Sequence, residues 1–498
     1  MTLLQPELLR RLAGSHPDGV AWRNVADSAE LTLSRWHRQS NCVAHGLRRL
    51  GVARGDRVAL MLPNDEPLEW LVSYMGIHKA GAIAVPLSAR IGDAELARVL
   101  RHADPSVVLC GGVPMAAAHA SATVVSTEAG ATTDSWSDLL DDGGGDLDCP
   151  LAPDDAADIM YTSGTTGEPK GVLVRHGSLS TVDRVPEAWL GLGFLTSSPF
   201  ATTSGSLLVC GPMRGGLSGW FLPQFDAARW LRSVEADRPV AAFLVPAMVE
   251  LLVRAPEFGS TDLSSLAVVN VGSAPLASAT LQRFGAHLPH ADVLCGYGMT
   301  EFGAVTAVPM GDHGRHLGSV GLPLPGVELR ILGTDGAALP PGKTGQIAIG
   351  GTRRRRTYYR DPEASETTWR DGWLLSGDLG RVDEDGHLWV VGRQKDMIVR
   401  GGYNIVPGEV EAALFEHPSV AEAAVAGVAH RVLGEDVAAW VVLREPVPTD
   451  DLRTFLLERL ADYKVPRRIR VVDALPRNES GKVLRSQLVS SENPKSRP

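Results

Sequence analysis

Between Tyr161 and Val172 the chain reads Tyr-Thr-Ser-Gly-Thr-Thr-Gly-Glu-Pro-Lys-Gly-Val. Three glycines, four aliphatic hydroxyls and one lysine stand together, directly after the apolar run Ala156–Tyr161. Glycines let backbone amides close around an anion, hydroxyls donate to its oxygens, and Lys170 adds a point charge. Such a loop suits phosphate. It is not the G-x4-G-K-[ST] nucleotide loop, because neither Gly164 nor Gly167 is followed at that spacing by Gly-Lys-Ser/Thr.

Further segments could carry chemistry with it. Tyr297-Gly-Met-Thr-Glu301 follows the apolar pair Val293–Leu294 and ends on a carboxylate, the ligand a hard divalent cation prefers. Ser376-Gly-Asp378 and Gly392-Arg-Gln-Lys-Asp396 read in isolation as turns. In Arg400-Gly-Gly-Tyr-Asn-Ile-Val-Pro-Gly-Glu409 the paired Gly401 and Gly402 would let a thin ligand pass close to backbone. Leu475-Pro-Arg-Asn-Glu-Ser-Gly-Lys482 places a Gly-Lys pair in a polar loop, which alone reads as solvated.

In their order and spacing, from Tyr161 to Arg485, these segments resemble the AMP-forming acyl-CoA synthetases. That superfamily also holds luciferases and peptide-synthetase adenylation domains. The resemblance implies ATP, Mg²⁺ and coenzyme A as cofactors. It assigns the ATP phosphates to Thr162, Ser163, Gly164, Thr165, Thr166 and Lys170, and an adenine-wall turn to Gly272, Ser273, Ala274 and Pro275. Tyr297, with Gly296 and Gly298 beside it, would stack on adenine, Thr300 would meet the α-phosphate, and Glu301 would ligate Mg²⁺. Asp378 would accept the ribose hydroxyls and Arg393 would touch the same sugar. Lys395 takes the hinge position, Gly401 and Gly402 line a pantetheine tunnel, and Lys482 is the lysine that bridges carboxylate and α-phosphate during adenylation.

One segment departs from the family pattern. Where relatives often carry Pro-Leu-Phe-His-x-x-Gly before an acyl-pocket helix, this chain has Pro199-Phe-Ala-Thr-Thr-Ser-Gly205. Thr202 replaces the usual histidine, and Thr202, Ser204 and Gly205 are taken as acyl-pocket residues. The run Arg353–Arg356 reads as solvated charge on a loop rather than as a site.

These residues need a scaffold larger than one hydrophobic core, and 498 residues supply at least two domains. Continuous apolar runs (Val58–Leu62, Ala82–Leu87, Val107–Leu109, Ala241–Val245, Ala267–Val271) alternate with helical patterns, which predicts parallel strands buried on both faces. The fold class is α/β: a large N-terminal domain of stacked, mainly parallel sheets with helices, carrying a small β-rich subdomain around Leu324–Gly350, then a small α+β C-terminal domain. The expected boundaries are residues 1–393, 394–490, and a polar tail over 491–498. In the second domain strands at Ala438–Leu443 and Arg468–Val472 flank an amphipathic helix Asp451–Tyr463. The Gly-rich acidic segment Asp141–Asp148 reads as an exposed loop.

Composition excludes several classes. A net charge of −10 gives no nucleic-acid surface. Five scattered cysteines with no CxxC indicate neither disulfide framework nor zinc site. Glu7, Arg10 and Arg11 interrupt any secretory core at the N-terminus, and prolines and hydroxyls interrupt the uncharged stretch Ala188–Met213, so no stable membrane insertion and a cytoplasmic location are expected. The expected function is an acid–thiol ligase that activates a small-molecule carboxylic acid as its adenylate and transfers it to CoA. A carrier-protein thiol is the alternative acceptor, a non-catalytic nucleotide-binding paralogue the rival class, and a homodimer the family-level expectation. Gly296 stands where malonate-activating relatives have arginine, which favours a bulky, largely apolar acid without a second charge.

Overall fold

The computed structural model describes residues 3–111, 122–128, 134–140, 144–162, 170–179, 184–274, 276, 278–310, 316–353, 355–477 and 483–492. Within these, four sheets organise the chain.

The apolar runs become the strands Arg57–Met61, Ile83–Pro86, Val107–Cys110, Ala241–Leu244 and Val268–Val271, each paired in parallel. The first three sit in an eight-stranded sheet with Ala156–Thr162 and Lys170–Arg175. The last two sit in a nine-stranded sheet that also holds Gly193–Thr196 and Asp292–Met299. Helices Leu33–Arg49 and Pro67–Lys79 pack between the two sheets. One core joins Trp22 and Phe221 of the nine-stranded sheet to Val58, Leu60 and Val107 of the eight-stranded one. Being covered on all sides, Pro67–Lys79 is buried continuously from Trp70 to Lys79.

The β-rich region is an antiparallel sheet of Val327–Leu332, Gly345–Gly351, Trp369–Arg370, Trp373–Val382 and Leu388–Arg393. A 3-10 turn, Gln394–Asp396, links it to the last sheet, which contains Ile398–Arg400, Tyr403–Ile405, Val420–His430, Gly434–Leu443 and Arg468–Val471 and has its own core around Val410, Val425, Val437 and Leu452. The α+β expectation holds here, with two corrections. The amphipathic helix runs Thr449–Leu457, not to Tyr463. Pro448 occupies its N-cap, while Ala461 and Val465 are extended around a 3-10 turn that lets Lys464 reach Glu409 at 2.5 Å. The helix Arg485–Glu492 also enters the stretch expected to be tail. The remaining tail residues, 493–498, lie outside the described residues.

Candidate active site

A cleft of about 2540 Å³ opens where the parallel strands of the nine-stranded sheet end. Phe243, Asn270–Ser273 and Leu294–Glu301 line it from consecutive strand ends. In open α/β sheets, the carboxyl ends of strands are where loops free of the ladder can meet a ligand.

Asp292–Met299 pairs in parallel with Val268–Val271, then turns back antiparallel into Gly303–Ala307. Thr300 and Glu301 sit on that turn. The Thr300 and Thr203 hydroxyls lie 2.8 Å apart, and the Tyr358 hydroxyl donates to Glu301 Oε1 at 2.9 Å. Arg356 Nη1 donates to the Thr300 carbonyl at 2.8 Å. Gly303 takes φ +95°, and a β-carbon there would stand 3.0 Å from Arg356 Nη2, so the turn needs glycine to close against the guanidinium. Lys170, the first residue of its strand, holds its Nζ 5.5 Å from the Tyr358 ring centroid. Burial and Glu301 push the Tyr358 phenol up, which keeps it a donor.

Sequence reading missed Tyr358 and misjudged Arg356. The arginine run was expected to be solvated, but Arg356 is only 3% exposed. Burial lowers its pKa to about 10 against the pull of Asp158 and Glu301. Its own carbonyl accepts from Trp369 Nε1. The strand Thr357–Tyr358, pairing with Lys170–Arg175, draws this end of the run inward. Arg353 is half-buried and lines the cleft, its Nη1 donating to the Ala304 carbonyl at 2.7 Å, while Arg355 stays at the surface, stacking on Trp369.

A second group forms across the cleft. Tyr297 donates its hydroxyl to Asp378 Oδ2 at 2.6 Å, and Arg393 Nε lies 2.9 Å from Asp378 Oδ1. Ser376, Gly377 and Asp378 lie within the strand Trp373–Val382, and Gly377 takes φ +72°. Asp378 pairs with Arg393 across the ladder. Lys395 also lines the cleft, its pKa lowered by burial and by Arg393.

Thr202, Ser204, Gly272, Ser273, Gly296 and Gly298 line the same space. Thr202 is the N-cap of helix Thr203–Leu208, accepting from Gly205 N at 3.0 Å. Gly205 does not line the cleft: a β-carbon there would fall 1.9 Å from the Pro199 carbonyl, so it is a close-packing glycine behind the wall. At Gly296 a β-carbon would meet the Thr306 carbonyl at 3.0 Å, so backbone closeness, and not open pocket space alone, calls for glycine. Ala274, next to the lining residue Ser273, is not among the lining residues, and neither are Gly401 and Gly402, which form the positive-φ turn between Ile398–Arg400 and Tyr403–Ile405. Thr162 ends its strand, while Ser163, Gly164, Thr165, Thr166, Pro275 and Lys482 fall outside the described residues. The stem around Lys482 does enter the cleft: Arg477, Val483, Leu484 and Arg485 line it.

Glu301, lining the cleft beside Thr300, offers the hard carboxylate oxygen that suits Mg²⁺. A different trio, His316, Asp383 and His387, brings ligand atoms within 4.8 Å at the opposite end of the hairpin from Asp378. The two imidazoles stack with centroids 3.6 Å apart and planes 15° from parallel, so their lone pairs do not converge on one ion.

The chain is similar to known proteins along almost its whole length. Residues 9–359 match the model of the AMP-binding enzymes and residues 409–482 match the AMP-binding enzyme C-terminal domain. The chain is 36% identical to a feruloyl-CoA synthase of an Amycolatopsis species, over 96% of this chain and 97% of that one. It is 32% identical to the fatty acid–[acyl-carrier-protein] ligase ScoC of Streptomyces coeruleorubidus, over 93% and 92%. The anthranilate CoA ligase AuaEII, solved with anthranoyl-AMP, superposes with a TM-score of 0.85 at 26% identity, over 98% of this chain and 97% of that one. The chain belongs to the AMP-binding enzyme family of adenylate-forming ligases.

Proposed function

We propose that this protein is an ATP-dependent carboxylic acid–CoA ligase acting through an acyl-adenylate on a bulky, largely apolar acid. The observation that carries the reading is the convergence on one cleft of three groups from distant sequence: Thr300–Glu301 with Tyr358, Tyr297–Asp378–Arg393, and the stem of the Lys482 loop.

A carboxylate oxygen of the acid attacks the α-phosphorus of ATP, the P–O bond to the β-phosphate breaks, and pyrophosphate leaves. Lys170 and the loop before it bind the phosphates. The Tyr297 ring takes adenine, and Asp378 accepts from ribose while Arg393 and Tyr297 fix its orientation. Lys482 stabilises charge on the transferring phosphoryl oxygens. Glu301 would hold Mg²⁺, which supplies charge compensation for the departing pyrophosphate. The part of the chain after Lys395 then turns, withdrawing Lys482 and presenting Gly401 and Gly402. The CoA thiolate attacks the acyl carbon and AMP leaves.

The acid's class is supported by similarity to a feruloyl-CoA synthase and to an anthranilate ligase, and by the short side chains of Ser204, Ala304 and Ala307 in the lining. Similarity to ScoC keeps a carrier-protein thiol as the second reading of the acceptor. Among the described residues no helix is long and apolar enough to cross a membrane.

The test is purified protein with ATP, Mg²⁺, a panel of acetate, malonate, aryl, long-chain and polycyclic acids, and either CoA or phosphopantetheinyl carrier. Pyrophosphate release on an aryl or larger acid with thioester on CoA is expected. Best turnover on malonate or acetate overturns the acid, thioester on carrier alone overturns CoA, and no pyrophosphate release with any acid overturns the ligase.

A further inference from the structure

The loop that carries Lys482 is closed at its base. Arg477 and Val483 form an antiparallel bridge, and Leu484 N donates to the Pro476 carbonyl at 2.8 Å. Where this stem stands fixes where Lys482 can reach. On one side Arg485 ties it to the C-terminal sheet, donating to Glu411 Oε1 at 2.6 Å and to the Val425 carbonyl at 3.1 Å. On the other, Arg477 Nη2 donates to Glu422 Oε2 at 2.8 Å.

Glu422 has a second partner that does not belong to the C-terminal sheet. Its Oε1 lies 3.2 Å from Nη2 of Arg254, the last residue of helix Pro246–Arg254, which packs on the nine-stranded sheet. Glu250, one turn earlier on that helix, stands 3.7 Å from the same Nη2. Arg254, Glu422 and Arg477 therefore form one chain of charge from the larger part of the molecule to the stem of the Lys482 loop. The two links differ in kind. Arg477 to Glu422 is a hydrogen-bonded pair within one unit. Arg254 to Glu422 is an ion pair without an aligned hydrogen bond, for both Nε and Nη2 of Arg254 are buried with no hydrogen-bond partner. A contact of that kind attracts without locking, which suits an interface that must open once in each catalytic cycle.

We propose that Glu422, by bridging Arg254 to Arg477, is a positioning residue that holds the Lys482 stem over the cleft for adenylation and is released for thioester formation. The proposal rests on the two-step ligase reading above, with its turn about Lys395. Neither Arg254 nor Glu422 lines the cleft, so neither touches substrate.

Each half-reaction is to be measured separately: pyrophosphate release from ATP and acid, and CoA consumption with synthetic acyl-adenylate. Glu422→Gln keeps size and hydrogen bonding but removes charge, and Arg254→Glu turns attraction into repulsion. Both variants should release pyrophosphate about tenfold more slowly while consuming acyl-adenylate at the wild-type rate or faster, with KM for ATP unchanged. Arg254→Lys should recover most of the adenylation rate. Both side chains keep some contact with water, 29% exposed at Arg254 and 15% at Glu422, so adenylation by the wild type should slow modestly as salt rises from 50 to 500 mM, and by Arg254→Glu it should not. Equal loss in both half-reactions, or no loss in either, overturns the latch. A wild-type protein that performs neither half-reaction instead overturns the ligase reading on which it stands.

Discussion

The hydroxyl of Tyr297 donates to Asp378 at 2.6 Å, joining two motifs 81 residues apart. Burial, together with Asp378, pushes that phenol up, so it stays protonated and remains a donor at any working pH. Asp378 is nearly closed off, with Arg393 on its other oxygen. The carboxylate is thus oriented before any ligand arrives, which would lower the ordering cost of the ribose contact proposed for it.

Tyr297→Phe should keep the ring face for adenine but free one oxygen of Asp378, raising KM for ATP several-fold with little change in kcat. Asp378→Ala should raise it by tenfold or more and leave Tyr297 and Arg393 without their shared acceptor. ATP titrations of pyrophosphate release check both. A Phe variant weaker than the Ala variant would mean that the hydroxyl, and not Asp378, meets the nucleotide.

Arg356 holds the Thr300 carbonyl from behind, and its buried guanidinium feels the charge of Asp158, which accepts from Tyr74 at 2.8 Å and lies 2.9 Å from His78 Nε2. Removing the guanidinium takes the donor from the Thr300 carbonyl and a nearby positive charge from Asp158 and Glu301, a loss of about 1–3 kcal/mol. Arg356→Met should therefore melt below the wild type and adenylate poorly. Arg356→Lys should recover part of the stability but not the planar fork aimed at Thr300. Thermal melts unchanged within about 2 °C for the Met variant would refute a structural charge at this position.

The contrast between Arg356 and its neighbours marks what could be read in the sequence. Run length placed Val107–Leu109 and Ala267–Val271 as buried parallel strands, within a residue of the strands observed, because continuous apolarity needs no partner to be recognised. Tyr297, Thr300 and Glu301 were legible because a short motif sets them on one strand end and its turn. Arg356 was not, since four arginines in a row look alike until Thr357–Tyr358 pairs with a strand almost 200 residues earlier. Tyr358 was hidden for the same reason. Gly205 misled in the other direction: in a row of small residues, nothing local separates a glycine open to the cleft from one pressed on the Pro199 carbonyl.

The acidic loop before the phosphate segment is pinned rather than free. Asn41 Nδ2 donates to the Gly144 carbonyl at 2.9 Å, and His37 stands between Lys79 and Asp146, its Nδ1 2.9 Å from Lys79 Nζ and its Nε2 2.9 Å from Asp146 Oδ1. That arrangement needs a neutral ring, with Nδ1 accepting from the ammonium and Nε2–H donating to the carboxylate. Burial, then Lys79, lowers the His37 pKa to about 4 from 6.5. The folded value is depressed, so as pH falls the unfolded chain takes the proton first. Stability from His37 is present above pH 6.5 and is lost progressively down to pH 4, a loss of at most about 3 kcal/mol. His37→Gln keeps an acceptor for Lys79 and cannot titrate, so its urea midpoint should fall less than that of the wild type between pH 7 and 4.5. Parallel pH slopes would show that the ring titrates in the fold as it does in the unfolded chain.

Ser204 offers the cleanest test of the acid pocket, because it lines the cleft without being required by backbone closeness as Gly205 and Gly296 are. It sits in the first turn of helix Thr203–Leu208, after the Thr202 cap, and its hydroxyl is only loosely held, 3.4 Å from Ser198 and 3.2 Å from Thr202. A phenylalanine there keeps the cap and the helix and places a ring in the cleft. Removing one bulky group's worth of room costs a large acid its fit and leaves a small acid with apolar wall that it lacked. Ser204→Phe should therefore cut kcat/KM for an aryl or polycyclic acid by tenfold or more, about 1.4 kcal/mol of transition-state binding, while acetate or butyrate loses little or gains. KM for ATP should not change, since the Ser204 hydroxyl is held by Ser198 and Thr202, and it is Thr203 that meets the Thr300 hydroxyl. An equal loss across all acids would place the acyl group elsewhere in the cleft, and a rise in KM for ATP would place the nucleotide against this helix.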